Sequence, residues 1–165
     1  MEILVTPGKR FAIGWIDGLS ILYTPDDWSM QDWLELGDIT VESQSSVHVH
    51  PVTLLYAPGR PPTPEEQQIF FQRAPELRAQ RVKRLAFLTD RADTRDTAAR
   101  MYDAFPVRVD WRPFACAELE VALTWLRAAA PFRMDEALAL FSRVQAATRD
   151  GRALRERPRA VQGER

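Results

Sequence analysis

Asp90, Asp93 and Asp96 recur at three-residue spacing, with Thr89 and Thr94 among them. They follow the apolar run Leu85-Ala86-Phe87-Leu88. That puts them past the carboxyl end of an expected strand, where open parallel sheets bind ligands. Hard oxygen ligands so placed could hold magnesium, so one reading is a metal-dependent enzyme built on Asp90, Asp93 and Asp96. The preferred reading is structural: Asp93 or Thr94 caps a helix, and Arg91 and Arg95 neutralise the charge. His48 and His50, two apart on an expected strand, share a face and could chelate zinc or copper. A catalytic zinc needs a third protein ligand, and no residue stands at a suitable spacing. Pro58-Gly59-Arg60 is too short and proline-rich to cradle phosphate. There is no nucleophile elbow. Cys116, the single cysteine, falls near an expected helix start, where a thiol pKa can be lowered; a small core residue is the plainer reading. No cofactor and no bound metal is expected.

Thr63 opens Thr63-Pro64-Glu65-Glu66, a hydroxyl followed three residues later by a carboxylate. This is a capping box, in which the hydroxyl is worth ~1 kcal/mol. A phosphate on Thr63 would lie at a helix N-terminus, which favours it, yet Glu65 and Glu66 would repel it. A plain cap is expected.

The elements that carry these residues come from periodicity. The stretch 82–126 reads strand, helix, strand, helix. Residues 85–88 form a strand, and 93–105 a helix with Ala98, Met101, Tyr102 and Phe105 on one side. Pro106 stops that helix, and Val107-Arg108-Val109 resumes as a strand. Residues 116–130 form a helix with Leu119, Ala122, Leu123 and Leu126 in one stripe. Short apolar strands alternating with amphipathic helices imply parallel pairing under covering helices. Upstream, Glu2-Ile3-Leu4-Val5 and 11–16 are strands, and Asp17-Gly18 turns the chain into a hairpin partner, 19–23. Thr24-Pro25-Asp26-Asp27 begins a helix that carries Met30, Trp33, Leu34 and Gly37 on one face and frays between 37 and 44. Ser43–Ser46 is a loop. Residues 47–56 are the central strand, since Val52 to Tyr56 is nearly continuous apolar sequence. After the capping box a helix carries Ile69, Phe70 and Leu77, with Pro75 interrupting or ending it. Pro131 breaks the chain before a last helix, 134–148, with Leu138, Phe141 and Val144 in line and Gly151 as its stop. Residues 1–148 therefore form one domain, and 149–165 a basic, disordered tail.

The chain of 165 residues carries a net charge of −1 and 45 % apolar residues. This is enough for a core and gives no general attraction to nucleic acid or membrane. The charge is uneven: residues 1–57 hold Lys9 and Arg10 against Glu2, Asp17, Asp26, Asp27, Asp32, Glu35, Asp38 and Glu42. No apolar run reaches the ~18 residues of a membrane span, and no signal-peptide pattern opens the chain. A cytoplasmic protein is expected. The tail lacks the basic density and stacking aromatics of a nucleic-acid binder. Val121 and Trp125 lie one turn apart, off the main stripe of their helix. The last helix is their expected cover, and a second copy or another protein the alternative. Trp28 and Trp111 raise the same question.

The segments Leu85-Ala86-Phe87-Leu88-Thr89-Asp90, the helix of Arg95 and Ala98, Pro106-Val107-Arg108-Val109 and the closing 120–126, with the 52–56 strand, resemble the STAS-like superfamily. In particular they resemble its single-domain SpoIIAA-like, anti-sigma-factor-antagonist-type bacterial branch. The resemblance covers roughly 1–130. It implies an α/β fold: a mixed sheet with a parallel core, an N-terminal antiparallel hairpin and helices mainly on one face, here with an extra C-terminal helix. It also implies a non-enzymatic regulatory or scaffolding module, a signalling protein that binds a partner through the loop and helix after the central strand. Some such domains are switched by phosphorylation at that helix start. This chain departs from the acceptor pattern, having prolines and no Asp-Ser pair, which leaves Thr63 as the only candidate. Arg60, Thr63, Phe71 and Arg91 are the expected partner contacts. An alternative is a small apolar or lipid-like ligand in a cavity near Phe70, Phe87 and Met101, because the fold is similar to some lipid-carrier domains.

Overall fold

A computed structural model describes residues 2–5, 11–24, 51–77, 82–104 and 109–155. Among them run β1 (Glu2–Val5), β2 (Ala12–Ile16), β3 (Leu19–Tyr23), β4 (Val52–Tyr56), α1 (Pro64–Leu77), β5 (Arg84–Leu88), α2 (Ala92–Asp103), β6 (Asp110–Phe114), a single 3-10 turn (Cys116–Glu118), α3 (Leu119–Arg127) and α4 (Met134–Arg155). The fold is α/β. The six strands form one sheet in chain order: β1–β2 and β2–β3 are antiparallel, and β3–β4, β4–β5 and β5–β6 are parallel. The N-terminal hairpin, the parallel core and the added C-terminal helix are all present. The expected helix beyond its cap Thr24, from Pro25 to Gly37, the loop 43–46, His48, His50, Trp28 and the tail beyond 155 lie outside the described residues.

A sheet whose strand order follows the chain has a geometric consequence. Parallel crossovers are right-handed, so successive crossovers between successive neighbours fall on the same face. α2 packs there, with Ala98 and Tyr102 against Phe87, Leu55 and Ala57. The opposite face is covered by α3 and α4. Ala122, Leu123, Leu126, Ala137, Leu140, Phe141 and Val144 meet Ala12, Ile21, Leu54, Ala86 and Leu88 in one core cluster. Leu123, Leu126, Leu140 and Val144 are fully buried, each contributing about 1.5–3 kcal/mol relative to exposure. The stripe on α3 is the one its spacing predicts.

Two glycines are required by this packing. A Cβ on Gly14 would lie 2.6 Å from Leu140 Cδ1 and 2.7 Å from Val144 Cγ2, so α4 seats directly on the β2 backbone. Gly18, at φ 79° in the hairpin turn, adopts a conformation most side chains avoid. Its Cβ would also come within 3.1 Å of the Pro131 carbonyl oxygen, which docks the α3–α4 connection on the hairpin.

Several boundaries differ from expectation. The last described strand is Asp110–Phe114; of the strand expected at 107–109, residues 107 and 108 lie outside the described residues and Val109 precedes β6. β6 is the sheet's edge and escapes an apolar-run search because its composition is polar. Asp110 N–H donates to Lys83 O and Phe114 O accepts from Thr89 N–H, so alternate residues pair with β5 while the backbone groups of Trp111 and Pro113 point away from it. Pro113 has no N–H to offer, which blunts the edge against further strands. α1 runs through Pro75 to Leu77, so position 75 falls in its final turn. α4 runs through Gly151 to Arg155, past the expected stop, so 149–155 are helical. Among the described residues no helix is long and apolar enough to cross a membrane.

Gly14→Val should lower the urea unfolding midpoint by the equivalent of about 1–3 kcal/mol, the usual cost of overpacking, because the stiff Val144 side chain cannot swing away. An unchanged midpoint would show that α4 does not rest on β2.

Candidate functional site

The carboxyl ends of β4, β5 and β6 form a rim from which three loops emerge. The ladder closes there through Thr24 N–H to Tyr56 O at 2.9 Å, Ala57 N–H to Leu88 O at 2.9 Å and Thr89 N–H to Phe114 O at 3.1 Å. Beyond the ladder, side chains continue the stitching. Thr94, buried in the first turn of α2, donates its hydroxyl to Gly59 O at 2.9 Å. Asp90 Oδ1 accepts from Cys116 N–H at 2.8 Å. Each loop is thereby tied to the next.

The loop after β4 is the most tightly held. The capping box forms as its spacing predicts: Thr63 Oγ1 accepts from Glu66 N–H at 3.4 Å and Glu66 Oε2 accepts from Thr63 N–H at 2.7 Å. Glu66 is then sealed in by Arg60, whose two terminal nitrogens reach its two oxygens at 2.8 Å each. Arg60 also donates to Pro61 O at 3.0 Å, and Gln67 Nε2 to Pro62 O at 2.9 Å. Burial alone raises the Glu66 carboxyl pKa. The two Arg60 hydrogen bonds and the Thr63 N–H outweigh it and hold the group below the usual carboxylate range. Thr63 itself is exposed, with its hydroxyl also donating to Glu65 Oε2 at 2.9 Å.

The three aspartates do not converge. Asp93 is gripped in a fork by Arg91 at 3.1 and 2.7 Å and accepts from Thr94 N–H at 2.9 Å. The Arg91 hydrogen bonds hold its carboxyl pKa down. Asp90 is turned to Cys116, and Asp96 is exposed. Among the described residues no three His, Cys, Asp or Glu side chains could hold a metal ion together. Neither Asp93 nor Thr94 is the helix cap. That position is Arg91, without a side-chain cap bond; Asp93 serves one free N–H of the first turn, and Thr94 is spent on Gly59.

Cys116 lies beside Asp90 and Tyr56. Burial pushes its thiol up, the Asp90 carboxylate adds to the rise, and the Tyr56 hydroxyl opposes it only in part, leaving it pushed up to about 11. The lowered pKa considered from its place near a helix start is therefore not found: the thiol heads a 3-10 turn in half-buried surroundings. Tyr56 stacks on Tyr23 at 4.9 Å and meets the Phe141 ring edge-on at 5.5 Å.

Of the expected contact residues, Thr63 and Arg91 are exposed at the rim and Phe71 is half-buried along α1. Arg60 is committed to the internal pair. Phe87 and Met101 are buried, and the Phe70 side chain lies outside the described residues. Away from the rim, Arg84 packs over the Trp125 ring at 4.9 Å, donates to Trp125 O at 2.9 Å and pairs with Asp110 at 2.9 Å. Phe114 lies 5.8 Å from the same ring. Val121 stays 56 % exposed, so α4 does not provide the cover expected for it. Trp111 stacks on Tyr102 at 5.4 Å. Sequence reasoning missed Glu66 as a buried acid, Thr94 as a tie to Gly59 and Asp90 as a partner of Cys116. Only the first had a local signal, the capping box. Comparison with protein-family models, with curated proteins and with solved structures finds no match.

Arg60→Met should strand a nearly fully buried carboxylate. The expected cost is about 1–3 kcal/mol, tempered because the arginine is about one-third exposed. Glu66 is held low in the folded chain, so its stabilisation is full above the ordinary carboxylate range and fades as pH falls through its folded value. Between about pH 7 and about pH 3, urea midpoints should fall more steeply for the parent than for Glu66→Gln; parallel curves would mean the pair contributes nothing. Cys116 should react with a disulfide reagent at neutral pH on the order of a hundredfold more slowly than a free thiol, and faster in Asp90→Asn. A rate that levels off near pH 8 would contradict the raised pKa.

Proposed function

We propose that this chain is a non-enzymatic regulatory or scaffolding module that binds another protein through its carboxyl rim. The surface is formed by the loop 57–63, the start of α1 and the start of α2. The observation that carries it is the rim's internal bonding: the capping box closed by Arg60 and Glu66, and the tie from Thr94 to Gly59. Surface loops fixed in this way lose little conformational freedom on association, which favours binding. Thr63 and Arg91 stand exposed on the rim. Arg91, bonded in a fork to Asp93, is the contact of greatest weight, since arginine is enriched among energetically dominant interface residues. Arg60 acts by shaping the loop. The resemblance to STAS-like domains of the SpoIIAA-like branch points to the same loop and helix. It also suggests a bacterial cytoplasmic signalling role, in keeping with a chain whose single cysteine has no disulfide partner within it.

The test is affinity purification of the tagged chain from its host, with mass spectrometry of co-eluting proteins and small molecules. A stoichiometric protein partner should be retained by the parent and lose about tenfold in affinity, about 1.4 kcal/mol, in Arg91→Glu. The variant should melt at the parental temperature because an exposed ion pair contributes little stability. Thr63→Asp, which keeps a capping oxygen while adding charge, should weaken the same complex. A partner bound equally by the parent and both variants would remove the rim from the interface. A chain that elutes with a lipid or metabolite and no protein would replace the module by a ligand carrier.

A further inference from the structure

We draw no further inference here: the strongest candidate, the outward face of α3 around the exposed Val121, is an unpartnered apolar patch, and nothing in the structure shows what covers it.

Discussion

Winding a sheet in one direction leaves one of its faces uncovered. Strands β4 to β6 follow one another in space as they do in the chain, and right-handed crossovers between such neighbours rise on the same side. The opposite face carries Ile21, Leu54, Ala86 and Leu88, all buried, and could not remain in water without losing much of the core's stabilisation. α3 and α4 supply the missing layer. Their seating depends on Gly14, where the absence of a side chain lets Leu140 and Val144 reach the β2 backbone. The α3–α4 connection rests against Gly18 in the hairpin. The C-terminal helices are thus part of the core, and the antiparallel hairpin is the platform that receives them.

The same topology gathers the loops. With every parallel strand pointing one way, the segments after β4, β5 and β6 emerge side by side, and their free backbone groups need partners. Two bonds join different segments, Gly59 O to the Thr94 hydroxyl and Cys116 N–H to Asp90, while Thr63 N–H is met within its own segment by Glu66. These bonds use the polar side chains that, in a catalytic site, would point toward a shared centre. Asp93 is turned to Arg91, Asp90 to Cys116, and Glu66 to Arg60. Two of these three carboxylates are paired with arginine.

How much of this was legible depends on the distance over which each feature is determined. Capping boxes and hairpin turns are decided within four residues, and Thr63/Glu66 and Asp17-Gly18 both stand where their motifs put them. Helical stripes are decided within a few turns, and Leu123 and Leu126 face the core as their spacing requires. Arg60 on Glu66 is different: six residues separate the pair, and only the proline-bent loop brings the guanidinium back over the helix. Thr94 to Gly59 spans 35 residues and Cys116 to Asp90 spans 26, separations at which no pattern in the chain reports contact. β6 is hard to read for another reason. An edge strand with one covered neighbour can be Asp-Trp-Arg-Pro-Phe, and its proline, which argues against a central strand, is acceptable where the ladder ends.

Paired charges also constrain how such a rim could recognise anything. The net charge of the chain is −1, and Arg91 with Asp93 forms a compact dipole rather than an isolated charge, so long-range steering of a partner would be weak. Recognition at this rim would rest on close fit and on hydrogen bonds made at short range. The internal bonds then matter twice: they satisfy the loop backbone, and they hold Thr63 and Arg91 in fixed positions against which a partner's surface could be matched. A loop released from Arg60 and Glu66 would keep the same exposed residues yet would have to be ordered on binding. Association would then weaken through lost preorganisation even with every direct contact retained.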